Sequence, residues 1–302
     1  MSTQSKRITD SHKTTKDSQL VTAFKQLNEK IDTEVKGQYK HTVVIKTGSV
    51  TIKNSELDLE FDVPFDDNTE ANESEIRVYN LTDATIKNIK TDAKLTIQAG
   101  YGSDTGIICS GYISKRYTVP EDVDRVTIIK VIDHKSLKER DIDSITFNKN
   151  TKASTILRTL CTKLGLPIAV FKTEKDHTYK KEETVSGGLM DNIQRYAKIC
   201  GVSAYVLKGK LYVRKLSDGD NTAFTLSSDT GLISCEEFEE TETIEKTTKT
   251  IKGYKVKMLL QHRLQTASII TINSKNAKGK FRVRSGTHSY DGNEFITEAE
   301  VI

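Results

Sequence analysis

The sequence predicts a mainly β chain with a small α/β insert and an N-terminal helical arm. Three observations point there. From His41 to Asp133, and again from Phe224 to Ile302, apolar residues recur mostly at every second position, the period of a half-buried strand. From Thr151 to Lys215 the period lengthens to that of amphipathic helices, followed by a hairpin. Near the start, Leu20, Phe24, Leu27 and Ile31 recur at spacings of four, three and four, which makes one apolar helical stripe.

Residues 1–38 form the arm. Met1 to Asp17 are rich in Ser, Thr and Lys and hold almost nothing to bury, so alone they are expected to be disordered. The helix after them is expected to dock on its own domain rather than on a partner.

The first β region spans 39–148. "LDLEFDVPF" sets Leu57, Leu59, Phe61 and Val63 on one face against Asp58, Glu60 and Asp62 on the other. "EIRVYNL" is a further strand. "LTDATIKNIK" is a short helix capped by Thr82 or Asp83. "KLTIQAG", "IICSGYI" and "RVTIIKVID" complete an antiparallel barrel or sandwich.

The insert spans 149–220. "TKASTILRTLCTKLGLP" places Ala153, Ile156, Leu157, Leu160 and Leu164 on one helical face, with Thr151 as N-cap and Gly165 and Pro167 as the stop. "GGLMDNIQRYAKICG" repeats the device with Met190, Ile193, Ala197 and Cys200. "VSAYVLKGKLYVRK" is a hairpin turning at Lys208-Gly209.

The second β region spans 221–302. Its "EEFEETETIEKTTKTIKGYKVKM" is a strand pair polar on both faces, with no core of its own to fix its register. Such strands need a neighbouring chain. The run Glu236, Glu237, Glu239, Glu240, Glu242 and Glu245 is followed by Lys246, Lys249, Lys252, Lys255 and Lys257. An acidic half and a basic half are expected to set register between subunits, so reversing Glu239 and Glu242 should disrupt assembly.

Composition narrows the function classes. The 302 residues are 35% hydrophobic and 29% charged, which leaves thin cores and favours sheets that bury area against other chains. The net charge of +4, from 46 basic and 42 acidic residues, is too balanced for a nucleic-acid binder. No apolar run approaches a membrane span, and the polar start has no signal-peptide core. Cys109, Cys161, Cys200 and Cys235 have no metal-type spacing and are expected to be reduced, partly buried thiols.

Motifs for chemistry fail on context. Gly100, Gly102 and Gly106 miss the G-x-G-x-x-G spacing by one position, and a β-branched run follows them where a phosphate site needs a helix. They are hairpin glycines, and Gly111 permits a close approach in the next strand. The histidines at 12, 41, 134, 177, 262 and 288 include no i, i+4 pair, and all are expected to be surface polarity. His134, between Asp133 and Ser136, makes no triad by adjacency alone. No catalytic, cofactor-binding or metal residue is assigned.

Taken in order, "SEIRVYNLTDATIKNIKTDAKLTIQAGYGSDTGIICSGYISK" resembles the first β domain of phage baseplate hub proteins of the late-control-protein-D type, related to the N-terminal part of type VI secretion spike proteins. The resemblance lies in Val78, Asn80 and Leu81, then Leu95, Ile97, Ala99, Gly100 and Tyr101, then Ile108, Gly111 and Ile113. The two helices with their hairpin resemble that family's insert. "GKFRVRSGTHSYDGNEFITEAEVI", with Gly279, His288 and Phe295, resembles its last strands.

The resemblance implies two tube-like antiparallel β-barrel domains per chain. It implies a homotrimeric ring of pseudo-sixfold symmetry that joins a hexameric tail tube to a threefold spike or tail tip. Tape-measure and baseplate wedge proteins are further candidate partners. The location implied is the tail baseplate of a phage or phage-tail-like particle, assembled in the host cytoplasm. No enzyme is expected, and the end at Ile302 leaves no room for the hydrolase domain of some relatives. The competing assignments are a tail tube or distal tail protein, and a cell-wall glycan-binding module.

Overall fold

The computed structural model describes residues 40–66, 71–133, 141–215, 217–244 and 247–302. The expected N-terminal helix, His12, His134, Glu245 and Lys246 lie outside them.

The first β region contains β1 (His41–Thr47), β2 (Val50–Lys53), β3 (Leu59–Phe65), β4 (Glu73–Tyr79), β5 (Lys94–Tyr101), β6 (Asp104–Glu121) and β7 (Asp124–Ile132). The period-two pattern holds: Leu59, Phe61, Val63 and Phe65 are buried along β3 while Asp62 faces out. Between β4 and β5 lies α1 (Asp83–Asn88), capped by the Thr82 hydroxyl, which accepts from the Thr85 N–H. Ile89, just past it, is fully buried.

Next come β8 (Asp141–Phe147), α2 (Ala153–Leu164), β9 (Ile168–Phe171), β10 (Glu183–Gly188), α3 (Leu189–Ile199), β11 (Ser203–Leu207) and β12 (Lys210–Arg214). The two helices pack through Ile156, Leu157, Leu160, Ile193 and Ala197 into one core. Gly165 ends α2 in the left-handed region at φ 76°, as its sequence position predicts.

Two details of the insert differ from expectation. Thr151 does not cap α2. Its hydroxyl donates to the Asn148 carbonyl, and Asp176 caps from a distance by accepting from the backbone N–H and the hydroxyl of Ser154. β8 pairs with β10, and its Ile142, Ile145 and Phe147 pack on the insert core, not in the first β region.

The last region holds β13 (Asp220–Leu226), a single 3₁₀ turn at Ser228–Thr230, β14 (Leu232–Ile244), β15 (Thr247–Leu259), β16 (Ser268–Asn273), β17 (Lys278–Tyr290) and β18 (Phe295–Val301).

The two β regions share one sheet, in the order β14-β15-β18-β17-β3-β4-β7-β6-β5-β1-β2, with β16 on β17 and β13 on β16. β17 makes the join. Its first part, Lys278 to Arg282, pairs with β16, and its second part, Gly286 to Tyr290, pairs with β3. Two cores lie beneath this sheet. One is built on Ile45, Ile76, Ile97 and Ile129, and the other on Val256, Met258, Ile270 and Val283.

The two halves repeat each other strand for strand: β3-β4-β7-β6-β5 corresponds to β14-β15-β18-β17-β16. The register repeats too. Phe61, Ile76, Ile129 and Arg116 form one row across the first half. Cys235, Val256, Ala299 and Gly286 form the same row across the second. Even the β-bulge recurs, after Ile113 in β6 and after Val283 in β17.

Candidate assembly interface

The glycine stretch is a hairpin, as its flanking strands predict. β5 and β6 turn at Gly102-Ser103. The Asp104 carboxylate just beyond the turn is held by the second half: Arg263 donates from both terminal nitrogens at 2.6 and 2.9 Å, and His262 Nε2 lies 3.0 Å away. Those hydrogen bonds, Arg263 first and His262 second, hold the Asp104 carboxyl down to about 2. Gly106 is not a turn glycine. A Cβ there would sit 2.2 Å from the His262 ring, so the glycine gives the imidazole its place.

His288 departs from the surface reading. It is 1% exposed, on β17 beneath the join. Its Nε2 lies 3.1 Å from the Leu264 carbonyl and its Nδ1 2.8 Å from the Thr297 hydroxyl. A carbonyl only accepts, so Nε2 carries the proton and Nδ1 accepts from Thr297. Thr297 in turn accepts from the Gln261 N–H. Burial lowers the His288 pKa to about 3, so the ring is neutral. His41 is half-buried and stacks on Phe295, and His262 is bonded to Asp104, so neither is loose surface polarity.

The insert is fastened through its β11–β12 hairpin. Lys208 and Gly209 both take positive φ, 49° and 73°, the two-residue turn their sequence announces. Lys208 reaches 101 positions back in the chain to donate to the Ile107 carbonyl at 2.8 Å, and burial lowers its amine to about 8. On the other side, Arg214 donates to both Asp220 oxygens at 2.9 and 3.0 Å and to the Tyr205 hydroxyl at 2.9 Å. Tyr205 stacks on Tyr212 and packs on Ala267 of the second half. Sequence spacing carries no signal for these partners, because each pair is assembled by the fold.

The acidic and basic runs meet inside one chain. β14 and β15 form an antiparallel hairpin that sets Glu236 opposite Lys255, Glu239 opposite Lys252 and Glu242 opposite Lys249. Lys252 lies 3.1 Å from Glu239. The complementarity therefore sets the hairpin's own register, where the sequence pattern predicts register between subunits. Beside it lies an open groove of about 500 Å³ along Phe65, Glu236, Lys255, Gly286 and Glu298, with ion pairs along it such as Lys255 to Glu300 at 3.3 Å.

The chemistry of these features is that of surfaces. The four cysteines are free and buried, and burial raises Cys109 and Cys200 to about 11 and Cys161 to about 12, away from thiolate reactivity. Among the described residues no group of His, Cys, Asp and Glu could hold a metal ion, and no helix is long and apolar enough to cross a membrane.

A two-part sheet joined by β17 with an α/β insert between its halves is the fold of phage tail proteins. The 43 kDa tail protein of prophage MuSo2 from Shewanella oneidensis is similar to it at a TM-score of 0.61 and 10% identity, over 87% of this chain and 98% of that one. A tail protein from Neisseria meningitidis matches at 0.61 and 9%, over 87% and 96%. The Escherichia coli c3393 protein matches at 0.55 and 9%, over 85% and 76%; it is a component of the type VI secretion system, itself similar to bacteriophage T4 tail proteins gp27 and gp5. No curated protein matches the sequence significantly. The family model described as baseplate hub gp41 matches residues 38–278, and the chain belongs to that family of phage-tail baseplate proteins.

Proposed function

We propose that this chain is the structural hub of a tail baseplate, with three copies closing into a ring that joins the hexameric tail tube to a threefold spike or tail tip. The observation that carries it is the internal repeat: one chain supplies two β halves equivalent in strand order and register. Three chains then present six similar units to a sixfold neighbour and three whole copies to a threefold one. The halves act as two tube-like barrels, near 39–148 and 221–302. The α/β module between them takes β8 as its first strand. Partners are the chain itself, the tube protein and the spike or tip protein, with tape-measure and wedge proteins as further neighbours. Assembly takes place in the host cytoplasm, and the role requires no catalytic step.

Averaged micrographs of the particle's distal end test this directly. The expected image is a threefold ring with two β units per chain, and a mass of three chains for the isolated ring. A sixfold ring with one unit per chain, or a chain that stays monomeric in particle and solution, would overturn it.

A further inference from the structure

Among the described residues, the internal repeat identifies two strand edges that lack the partner their counterparts have. β3 pairs with β17 on its outer side, whereas its equivalent, β14, stands at the end of the sheet and, among the described residues, pairs with β15 alone. β17 pairs with β3 beyond its bulge, on the side where β16 ends. At Arg282 the two sides of the strand are distinct, with Ile269 of β16 on one and Ile302 on the other. The equivalent stretch of β6 is Lys115 to Glu121. β5 flanks β6 as far as Tyr112, which has Lys94 on one side and Ile132 on the other, and beyond the bulge β6 pairs, among the described residues, only with β7. Among the described residues, one half therefore has an unused β3-like edge, and the other has an unused β17-like edge.

We propose that these edges pair between copies of this chain: Lys115–Pro120 of β6 in one subunit runs antiparallel against Cys235–Glu240 of β14 in the next. The pairing rests on the ring reading above and names the contact that closes it. The register follows from the junction within the chain, where Gly286 faces Phe65, His288 faces Val63 and Tyr290 faces Phe61. Arg116 occupies the place of Gly286, and Phe61 the place of Cys235. Carried across, Arg116 faces Glu239, Tyr117 faces Phe238, Thr118 faces Glu237, Val119 faces Glu236 and Pro120 faces Cys235. One step further sets Lys115 against Glu240.

The residues fit that register although it was fixed by backbone pairing alone. The β6 edge opens with two cations, and the β14 positions opposite them are exposed carboxylates. Inside the chain Glu239 and Glu240 have Lys252 and Arg284 as partners, at 3.1 and 2.7 Å, so the second cations extend existing pairs rather than meet bare charges. Arg116 donates to the Ile86 carbonyl at 2.7 Å, while its Nε has no hydrogen-bond partner among the described residues. Half-buried Tyr117 meets half-buried Phe238, an aromatic cross-strand pair. The ladder also stops where it should. Pro120 has no N–H to donate, and the Cys235 carbonyl opposite it already accepts from Asn276 at 2.7 Å. An edge of this length left bare is an aggregation hazard, and closure of a ring removes it.

Paired cysteines test the register. Two variants of the full chain, Tyr117→Cys with Phe238→Cys and Thr118→Cys with Glu237→Cys, cover both alternating pair geometries of an antiparallel ladder. The native thiols are buried and serve as a quiet background. Mild oxidation of assembled chains should give a ladder of covalent dimers and trimers on a non-reducing gel from at least one variant. Each single substitution, and the out-of-register pair Tyr117→Cys with Ser234→Cys, should leave monomers. A charge swap supplies an independent arm: Lys115→Glu should weaken ring formation roughly tenfold and Glu240→Lys in the same chain should restore it. Rings that form without any of these cross-links, and are indifferent to the swap, overturn the pairing and leave the ring standing. A chain that forms no ring in solution or in particles overturns both.

Discussion

Asp104 of the first half and Arg263 of the second form a two-pronged ion pair, 2.6 and 2.9 Å, at the tip of the glycine hairpin. Both side chains are partly exposed, so water and salt screen the pair, but its fork geometry and the added His262 contact make it more than an ordinary surface pair. Asp104→Ala is expected to lower stability by about 1 kcal/mol, less at high salt. The sign with pH follows from the depressed carboxyl. The contribution is fully present above the usual carboxylate pKa of 3.8 and is lost as pH falls through about 2. Urea midpoints of the native chain and Asp104→Asn should therefore converge below pH 4, and parallel curves down to pH 2 would refute this.

Gly106 and Gly111 differ in what blocks a side chain, and the difference is measurable. At Gly106 the obstacle is the His262 ring, 2.2 Å from a Cβ; at Gly111 it is the Ile132 carbonyl at the same distance. A ring can be removed and a backbone cannot. Gly106→Ala should cost about 1–3 kcal/mol, much of it recovered when His262→Ala is added. Gly111→Ala should cost at least as much, with no recovery from that second change. Equal recovery in both cases would sink the distinction.

These positions also mark where sequence stops being informative. The hairpin at Lys208-Gly209, the left-handed stop at Gly165 and the buried alternation of β3 were legible because each is settled within a few residues. The cap of α2 was not. Thr151 has the right chemistry in the right place, yet Asp176 takes the role from 22 positions away, after β9 brings the chain back. The β17·β3 join sets Phe61 against Tyr290, and no local pattern encodes that pairing. His288 sits in "SGTHSY", a polar string that gives no hint of burial; the polar groups around it are satisfied only in the folded chain. The repeat is hidden for a similar reason. Equivalent positions such as Arg116 and Gly286 share a backbone place and no chemistry.

His288 predicts an acid limb to stability. Its folded pKa is lowered to about 3 from the ordinary 6.5, chiefly by burial, so the unfolded chain binds a proton that the folded one refuses. The contribution is fully present above pH 6.5 and is lost progressively as pH falls toward 3, with a slope of at most about 1.4 kcal/mol per pH unit. A His288→Gln variant keeps a polar side chain that does not titrate, so its stability should fall less steeply between pH 6.5 and 4 than that of the native chain. Identical slopes in chemical denaturation over that range would exclude His288 as the source.

Arg214 and Asp220 predict how firmly the insert is held to the second half. Arg214 is buried, with its side chain 6% exposed, while Asp220 stands at the surface and supplies both acceptors. Asp220→Ala leaves a buried guanidinium with, among the described residues, only the Tyr205 hydroxyl to accept from it, and should cost about 3 kcal/mol. Removing the whole network should cost less than breaking it. In Tyr205→Phe with Arg214→Met and Asp220→Ala no buried polar group is left without a partner, so most of the loss should return. Hydrogen exchange locates the effect: Asp220→Ala should speed exchange in β11, β12 and β13 and leave β4 and β7 unchanged. A triple variant weaker than the single one would show that the arginine holds the insert by packing on Tyr205 and Tyr212 rather than by its charge pair.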